Sequence, residues 1–239
     1  MNKVKIRLIQ LGYPPIALTK VVRWKSKFFE IDMSVYHRSD LPDSDGTDWS
    51  YSKKLLSKII GNGRESDITI GVIDKPIEAN YYLHRLSEKT CVLSLYEMSG
   101  ILAKENIPPE MFLIRNIYEV ITLYFEFGGR IKSDAYTAHH EDTRGCLFDF
   151  NAIKSDIIAS TKHVGLCSEC SARLSQKKLP FGFVDGLEAE LKRIKKPLVF
   201  RVIDFVKEHP IWSLGISLVI SVSVNVVSNY IYAFFVSKF

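Results

Sequence analysis

The chain lacks His-Glu-x-x-His, the helical histidine pair with an intervening glutamate on which a large class of zinc peptidases depends. It also lacks a phosphate-binding loop, a nucleophile elbow and a kinase-type motif set, so none of these routes to hydrolysis or phosphoryl transfer is signalled. Cysteine is scarce. Four in 239 residues are too few for a disulfide scaffold and suit a reducing compartment with metal binding. No repeat or low-complexity tract interrupts the chain. The opening "MNKVKIRLIQLGYPP" has no long apolar core and no small-residue cleavage site, so it is expected to be a first strand and not a signal peptide. A large excess of one charge is absent too: the net charge is +5, and 46% hydrophobic with 25% charged residues is an ordinary globular composition. The length allows one domain or two.

What is present in quantity is one apolar run. Ile211 to Val236, "IWSLGISLVISVSVNVVSNYIYAFFV", holds 26 residues without a charge. About 20 residues of helix cross the bilayer hydrocarbon, so this run predicts a transmembrane helix over 211–236. Trp212 at one end and Tyr230 and Tyr232 toward the other suit the two interfaces. Only Ser237, Lys238 and Phe239 follow, so a tail anchor is expected. Lys192, Arg193, Lys195, Lys196, Arg201 and Lys207 lie upstream of the span and Lys238 alone lies downstream. The positive-inside tendency therefore predicts a single-pass protein whose N-terminal domain is cytoplasmic. The basic segment would lie against anionic lipid headgroups, which accounts for much of the net charge and leaves nucleic acid a weak candidate partner.

Within residues 1–175 the pattern is α/β. "KVKIRLIQLG" alternates as a strand and ends in a Gly-Tyr-Pro-Pro turn. "IALTKVVRWKSKFF" predicts a helix and "FEIDMSVYH" a second strand. "RSDLPDSDGTD" is a polar loop, with Asp48 the expected cap of a helix in "WSYSKKLLSKIIG" that Gly61 ends. "DITIGVID" and "TCVLSLYE" are strands short enough to be buried. From Pro108 to Phe127, Met111, Ile114, Ile117, Val120 (or Ile121) and Tyr124 recur at helical steps, predicting a long core helix. Helices packed on a mixed sheet are the expected architecture. Residues 176–210 read as a linker with amphipathic, juxtamembrane helices, which either pack on the parent domain or lie on the membrane as a collar.

Chemistry concentrates in "AHHEDTRGCLFDF" and "GLCSEC". Cys167 and Cys170 form a knuckle able to grip one zinc ion, and tetrahedral structural sites take a second pair from elsewhere. Cys146, separated from Cys167 by 20 residues, supplies one member and His140 or His139 the other. A redox Cys-x-x-Cys is the competing reading, weakened because no thioredoxin-like strand precedes it. Cys91, in an apolar strand, is expected in the core. His37, His84, His163 and His209 are scattered and read as surface or capping residues.

The order of elements, the opening "IRLIQLGYPP", and a late helix followed by His…Cys…Cys-x-x-Cys resemble the archaemetzincins over roughly residues 3–174. Those are zinc metallopeptidases with a helical HExxHxxGxxH motif, a cysteine directly after the last histidine, a further cysteine and a Cys-x-x-Cys, which together hold a second zinc. The resemblance implies a zincin-like fold in which His139 matches the last catalytic histidine. His140 then replaces the adjacent cysteine ligand, and Cys146, Cys167 and Cys170 complete a structural Zn2+ site. The chain departs from the family in the helix. "YEVIT" places Glu119 where the general base would be, but Tyr118 and Thr122 stand where the histidines would be. Two of three ligands are absent, so the hydrolytic centre is expected to be lost and Glu119, the residual catalytic candidate, to be a surface or helix-pairing residue. The zinc then serves folding, since a closed four-ligand site leaves no position for substrate or activated water.

The span carries Ser213, Ser217, Ser221, Asn225 and Asn229 at an unbroken spacing of four. Steps of four trace a slowly winding stripe, and small hydrogen-bonding residues in such a stripe let helices pair in lipid. Two function classes follow. One is a tail-anchored pseudoenzyme whose zinc-stabilised domain senses a protein or small-molecule trigger while its spans self-associate as a homo-oligomer. By analogy with bacterial defence and cell-suicide systems, such a protein could be a membrane-perturbing antiviral effector. The other is a membrane-bound metallopeptidase whose site is built unusually, from His139 and other residues.

Overall fold

Val4, Ile6 and Leu8 face one side of the first strand and Lys3, Lys5 and Arg7 the other, and this alternation anchors a six-stranded sheet. The computed structural model describes residues 2–61, 66–132 and 138–236. Strand β1 (Val4–Leu11) is flanked on one side by β2 (Phe29–Ile31) and β3 (Tyr36–Arg38), and on the other by β4 (Ile68–Ile73). β6 (Thr90–Ser94) follows β4, and β5 (Leu83–Ser87) closes the edge. Every pairing is parallel except β5 with β6. All six residues of β4 are buried, the mark of a strand covered on both faces.

Two cores follow from the two faces. The larger joins Val4, Ile6 and Leu8 to helix α4 (Pro109–Glu126), and the smaller joins Ile9 and Leu11 to helix α2 (Lys53–Ile60). Pro109 opens α4 and thirteen consecutive residues, Met111 to Leu123, are buried, each large apolar side chain contributing roughly 1.5–3 kcal/mol. Gly71 in β4 permits the α2 contact: a Cβ there would stand 2.7 Å from Ile60 Cδ1.

Several local expectations are corrected. The helix expected over "IALTKVVRWKSKFF" is only α1 (Leu18–Val21). Beyond it, Lys27 N–H donates to Glu190 and Phe28 N–H to the Ser26 hydroxyl, which takes the backbone away from helical bonding. The second strand is broken into β2 and β3 by a turn in which Asp32 accepts from Ser34 N–H. Asp48 does not cap α2. It sits at φ 54°, and Ser52 is the cap, its hydroxyl accepting from Leu55 N–H. β5 and the short helix α3 (Met98–Lys104) have no counterpart in the sequence reading. His84 is buried against the Glu78 carbonyl rather than exposed, whereas His163 and His209 do end helices.

The chain divides into two compact units, Met1–Lys195 and Lys196–Phe239. Helices α5 (Ile157–Lys162), α6 (Ser168–Ser175) and α7 (Phe183–Leu191) complete the first. Phe183, Leu187, Leu191 and Ile194 are buried in its main core, so this part of the 176–210 segment packs on the parent domain. Glu190 fastens α7 further, accepting from the hydroxyls of Ser26 (2.6 Å) and Tyr118 (2.7 Å). The second unit contains α8 (Leu198–Glu208) and α9 (Pro210–Val236). α8 exposes Leu198, Val199, Val202 and Phe205. Pro210–Ala233 is long and apolar enough, by length and composition, to cross a membrane.

Candidate metal centre

The loop after α4 returns past the start of α6, and the backbone itself builds the cysteine cluster. Leu147 N–H donates to the Gly165 carbonyl, laying the Cys146 segment beside the strand-like entry to Cys167. Cys146 Sγ accepts from the N–H groups of Phe148 (3.5 Å) and Cys167 (3.3 Å). Cys167 caps α6 through its sulfur, which accepts from Cys170 N–H at 3.4 Å, and one helical turn brings Cys170 to the same side. His140 enters from the other strand of the loop, with Nε2 3.5 Å from Cys167 Sγ. The donor atoms of His140, Cys146, Cys167 and Cys170 all lie within 4.8 Å of one another, and Cys146 and Cys170 are buried.

This donor set calls for a divalent cation. Hydrogen bonding from Cys170 pulls the Cys146 thiol well below its ordinary value against the opposing effect of burial, with the N–H groups of Phe148 and Cys167 adding to it. The resulting thiolate, with burial, pushes the Cys170 thiol upward. One thiolate can form in the free cluster, but three cannot without a compensating charge. Three sulfurs and one imidazole nitrogen are a tetrahedral zinc set, and His140, Cys146, Cys167 and Cys170 are the residues that would hold the ion. With four protein donors the site is closed.

Asp149, a residue the sequence did not single out, orients the centre. Its Oδ2 accepts from the N–H groups of Arg144 (3.1 Å) and Cys146 (2.9 Å), and its Oδ1 stands 3.3 Å from His140 Nδ1. The same Nδ1 lies 3.0 Å from the Asp142 carbonyl. With Nδ1–H directed there, Nε2 keeps its lone pair for a metal. Arg144 bridges Asp142 (2.9 Å) and Glu169 (2.8 Å) beside the cluster and also interacts with Cys167.

His139 takes no part in this cluster. Its Nε2 lies 3.0 Å from Glu119 Oε1, and Glu119 Oε2 is ion-paired with Arg115, one turn earlier on α4. Arg115 is 0% and Glu119 3% exposed, so of the two roles expected for Glu119, surface or helix-pairing, the surface one is corrected. The guanidinium also donates to Asn116 Oδ1 (3.1 Å) and the Leu147 carbonyl (2.6 Å). Burial alone would raise the Glu119 carboxyl, but Arg115 and His139 outweigh it and hold the group at about 2. Tyr118 and Thr122 are turned elsewhere: the Tyr118 hydroxyl accepts from Trp24 Nε1 (2.9 Å) and donates to Glu190, and Thr122 donates to the Tyr118 carbonyl (2.7 Å). The i,i+4 pair directed at His139 is thus Arg115 and Glu119, and it holds its own cation.

No family profile matches the chain, and no curated protein matches it. Among solved structures, the chain is similar to the crystal structure of archaemetzincin from Methanopyrus kandleri, with 16% identity and a TM-score of 0.48, over 73% of this chain and 94% of that one. This is the family that the sequence resembles.

Proposed function

We propose that the chain is a membrane-tethered, non-catalytic module whose N-terminal unit is stabilised by one zinc ion. One observation carries the reading. The α4 helix turns toward His139 a buried Arg115–Glu119 ion pair, with no histidine pair or exposed carboxylate there. A guanidinium in contact with the Glu119 carboxylate competes with any metal for it and leaves that carboxylate no proton to take up near neutral pH. The membrane-bound peptidase reading requires His139 and Glu119 to be free for metal and water, and here they are bound to each other.

In this reading the span anchors the N-terminal unit on the cytoplasmic side, consistent with the basic residues between Lys192 and Lys207, and the unit senses a protein or small-molecule trigger. The spans associate along Ser213, Ser217, Ser221, Asn225 and Asn229. Ser213 and Ser221 hydroxyls and the Asn225 amide bond back to carbonyls of their own helix. That satisfies one donor of each and leaves the Asn225 carbonyl and its second N–H for a neighbouring helix. Assembly in the bilayer could then perturb the membrane, the behaviour of a defence effector. The test is a peptidase assay on the purified full chain, supplied with zinc and a mixed peptide library. No cleavage, unchanged in Glu119→Gln, is expected; cleavage that the substitution abolishes would restore the peptidase reading.

A further inference from the structure

The sheet has a switch point far from the cysteine cluster in sequence and connectivity. From β1 the chain moves to β2 and β3 on one side, and through α2 to β4 on the other. Open parallel sheets bind ligands where the order reverses, outside the carboxyl ends of the two strands. At that place Gly12 and Tyr13 leave β1, Asp74 and Lys75 leave β4, and a cavity of about 610 Å³ lies between them under the loop bearing Asp43 and Trp49. Its size falls within the range of small-molecule sites, roughly 300–1,000 Å³.

Three features of the lining define a ligand. Tyr13 and Trp49 are 82% and 83% exposed, two large rings left to water at one cavity. Trp49 and Asp48 both sit in the left-handed region, at φ 55° and 54°. Such backbone outliers cluster at ligand sites. The turn is fixed by Gly46 N–H bonding to the Ser50 carbonyl (2.9 Å), and the Tyr51 hydroxyl bonding to the Pro42 carbonyl (2.8 Å). Finally, the loop "SDLPDSDGTD" carries Asp40, Asp43, Asp45 and Asp48 and no basic residue, on a chain whose net charge is +5. Asp45 is committed to Ser52, whereas Asp43 and Asp74 line the cavity against Lys75.

We propose that this cavity binds an organic cation, a guanidinium or alkylammonium group, stacked on Trp49 and Tyr13 and neutralised by Asp43 and Asp74. Aromatic faces and carboxylates both attract such a cation. The same carboxylates repel a phosphate, so nucleotides do not fit, and the two exposed rings add stacking surface that an organic cation uses and a bare metal ion does not. The group can be carried on an arginine- or lysine-bearing peptide or be a free polyamine. The proposal deepens the sensor reading and rests on it only for the consequence of binding, since binding belongs to the cavity itself.

The test is calorimetric and tryptophan-fluorescence titration of the full chain in neutral-lipid nanodiscs, with spermidine, N-acetyl-arginine amide, an Arg-Gly-Arg peptide and, as the anionic control, AMP. Saturable binding of the cations and none of AMP is expected, with affinity falling as salt rises. Affinity should weaken about tenfold in Trp49→Ala and at least as much in Asp43→Asn with Asp74→Asn. These are surface positions, so an unchanged melting temperature verifies the variants. A preference for the peptide or for spermidine identifies the source of the cation. Absence of saturation with every cation, or equal affinity in wild type and both variants, would overturn the proposal. Binding that leaves span association unchanged would keep the cavity assignment and remove the sensor reading.

Discussion

His139 and His140 are neighbours in sequence and end in opposite environments. His140 joins three thiols; His139 meets a carboxylate already paired with a guanidinium. The difference shows what decides whether a buried histidine binds metal. Where the surrounding groups are thiols that gain negative charge on ionising, a divalent ion completes them. Where the chain supplies its own buried cation, as Arg115 does for Glu119, a metal ion meets a competitor already in place. The first site is completed from solution and the second by the fold.

The largest effect should come from the first site. Structural zinc sites contribute apparent binding free energies of about 10–16 kcal/mol in small zinc-finger peptides, and that energy is folding energy. Cys167→Ser, or a strong chelator, should therefore make the region around residues 138–175 susceptible to protease and lower the melting temperature sharply, followed by circular dichroism with metal analysis. A melting curve that does not move would erase the contrast between the two histidines.

Next comes the buried pair. Arg115→Met should destabilise by about 3–5 kcal/mol, because it strands the Glu119 carboxylate, while Arg115→Met with Glu119→Leu should recover most of the loss. Denaturant unfolding measures both. If the double variant is worse than the single one, the pair does more than neutralise itself. Zinc content should be one per chain in all these proteins.

A smaller effect appears in acid. Glu119 titrates near 2 in the fold against an ordinary value of 4.5. Its folded pKa is depressed, so its contribution is complete above about pH 4.5 and is lost as pH falls toward 2. The stability gap between wild type and Glu119→Gln should narrow across that window, measured at matched zinc content. A gap that stays constant would mean that Glu119 is not ionised in the fold. The smallest effect belongs to the span: Asn225→Leu with Asn229→Leu should weaken self-association by about 1–2 kcal/mol in crosslinking within bilayers.

Much of this was legible in the sequence, for identifiable reasons. β1 and α4 carry strong periodicity, β4 and β6 are short continuous apolar runs, and the metal centre announced itself because few structures other than metal sites need Cys-x-x-Cys with a third cysteine and histidine nearby. β5 was not, because "LHRLS" is a short polar edge strand that owes its pairing to β6. Asp48 looked like the cap of α2, yet the helix starts five residues later, at Lys53, because Asp45 fixes Ser52 in place. Arg115 drew no attention in the sequence and Glu119 was expected to be a surface or helix-pairing residue, since the segment carrying His139 and Leu147 meets them only after folding. Asp149 gave no signal, as one aspartate in a loop resembles any other.

Metal stoichiometry of the purified full chain tests the account most directly. Mass spectrometry under native conditions should find one zinc per chain in wild type and in Arg115→Met with Glu119→Leu, and none in Cys167→Ser. Two ions per wild-type chain, or one that survives Cys167→Ser and leaves with His139→Ala, would contradict it.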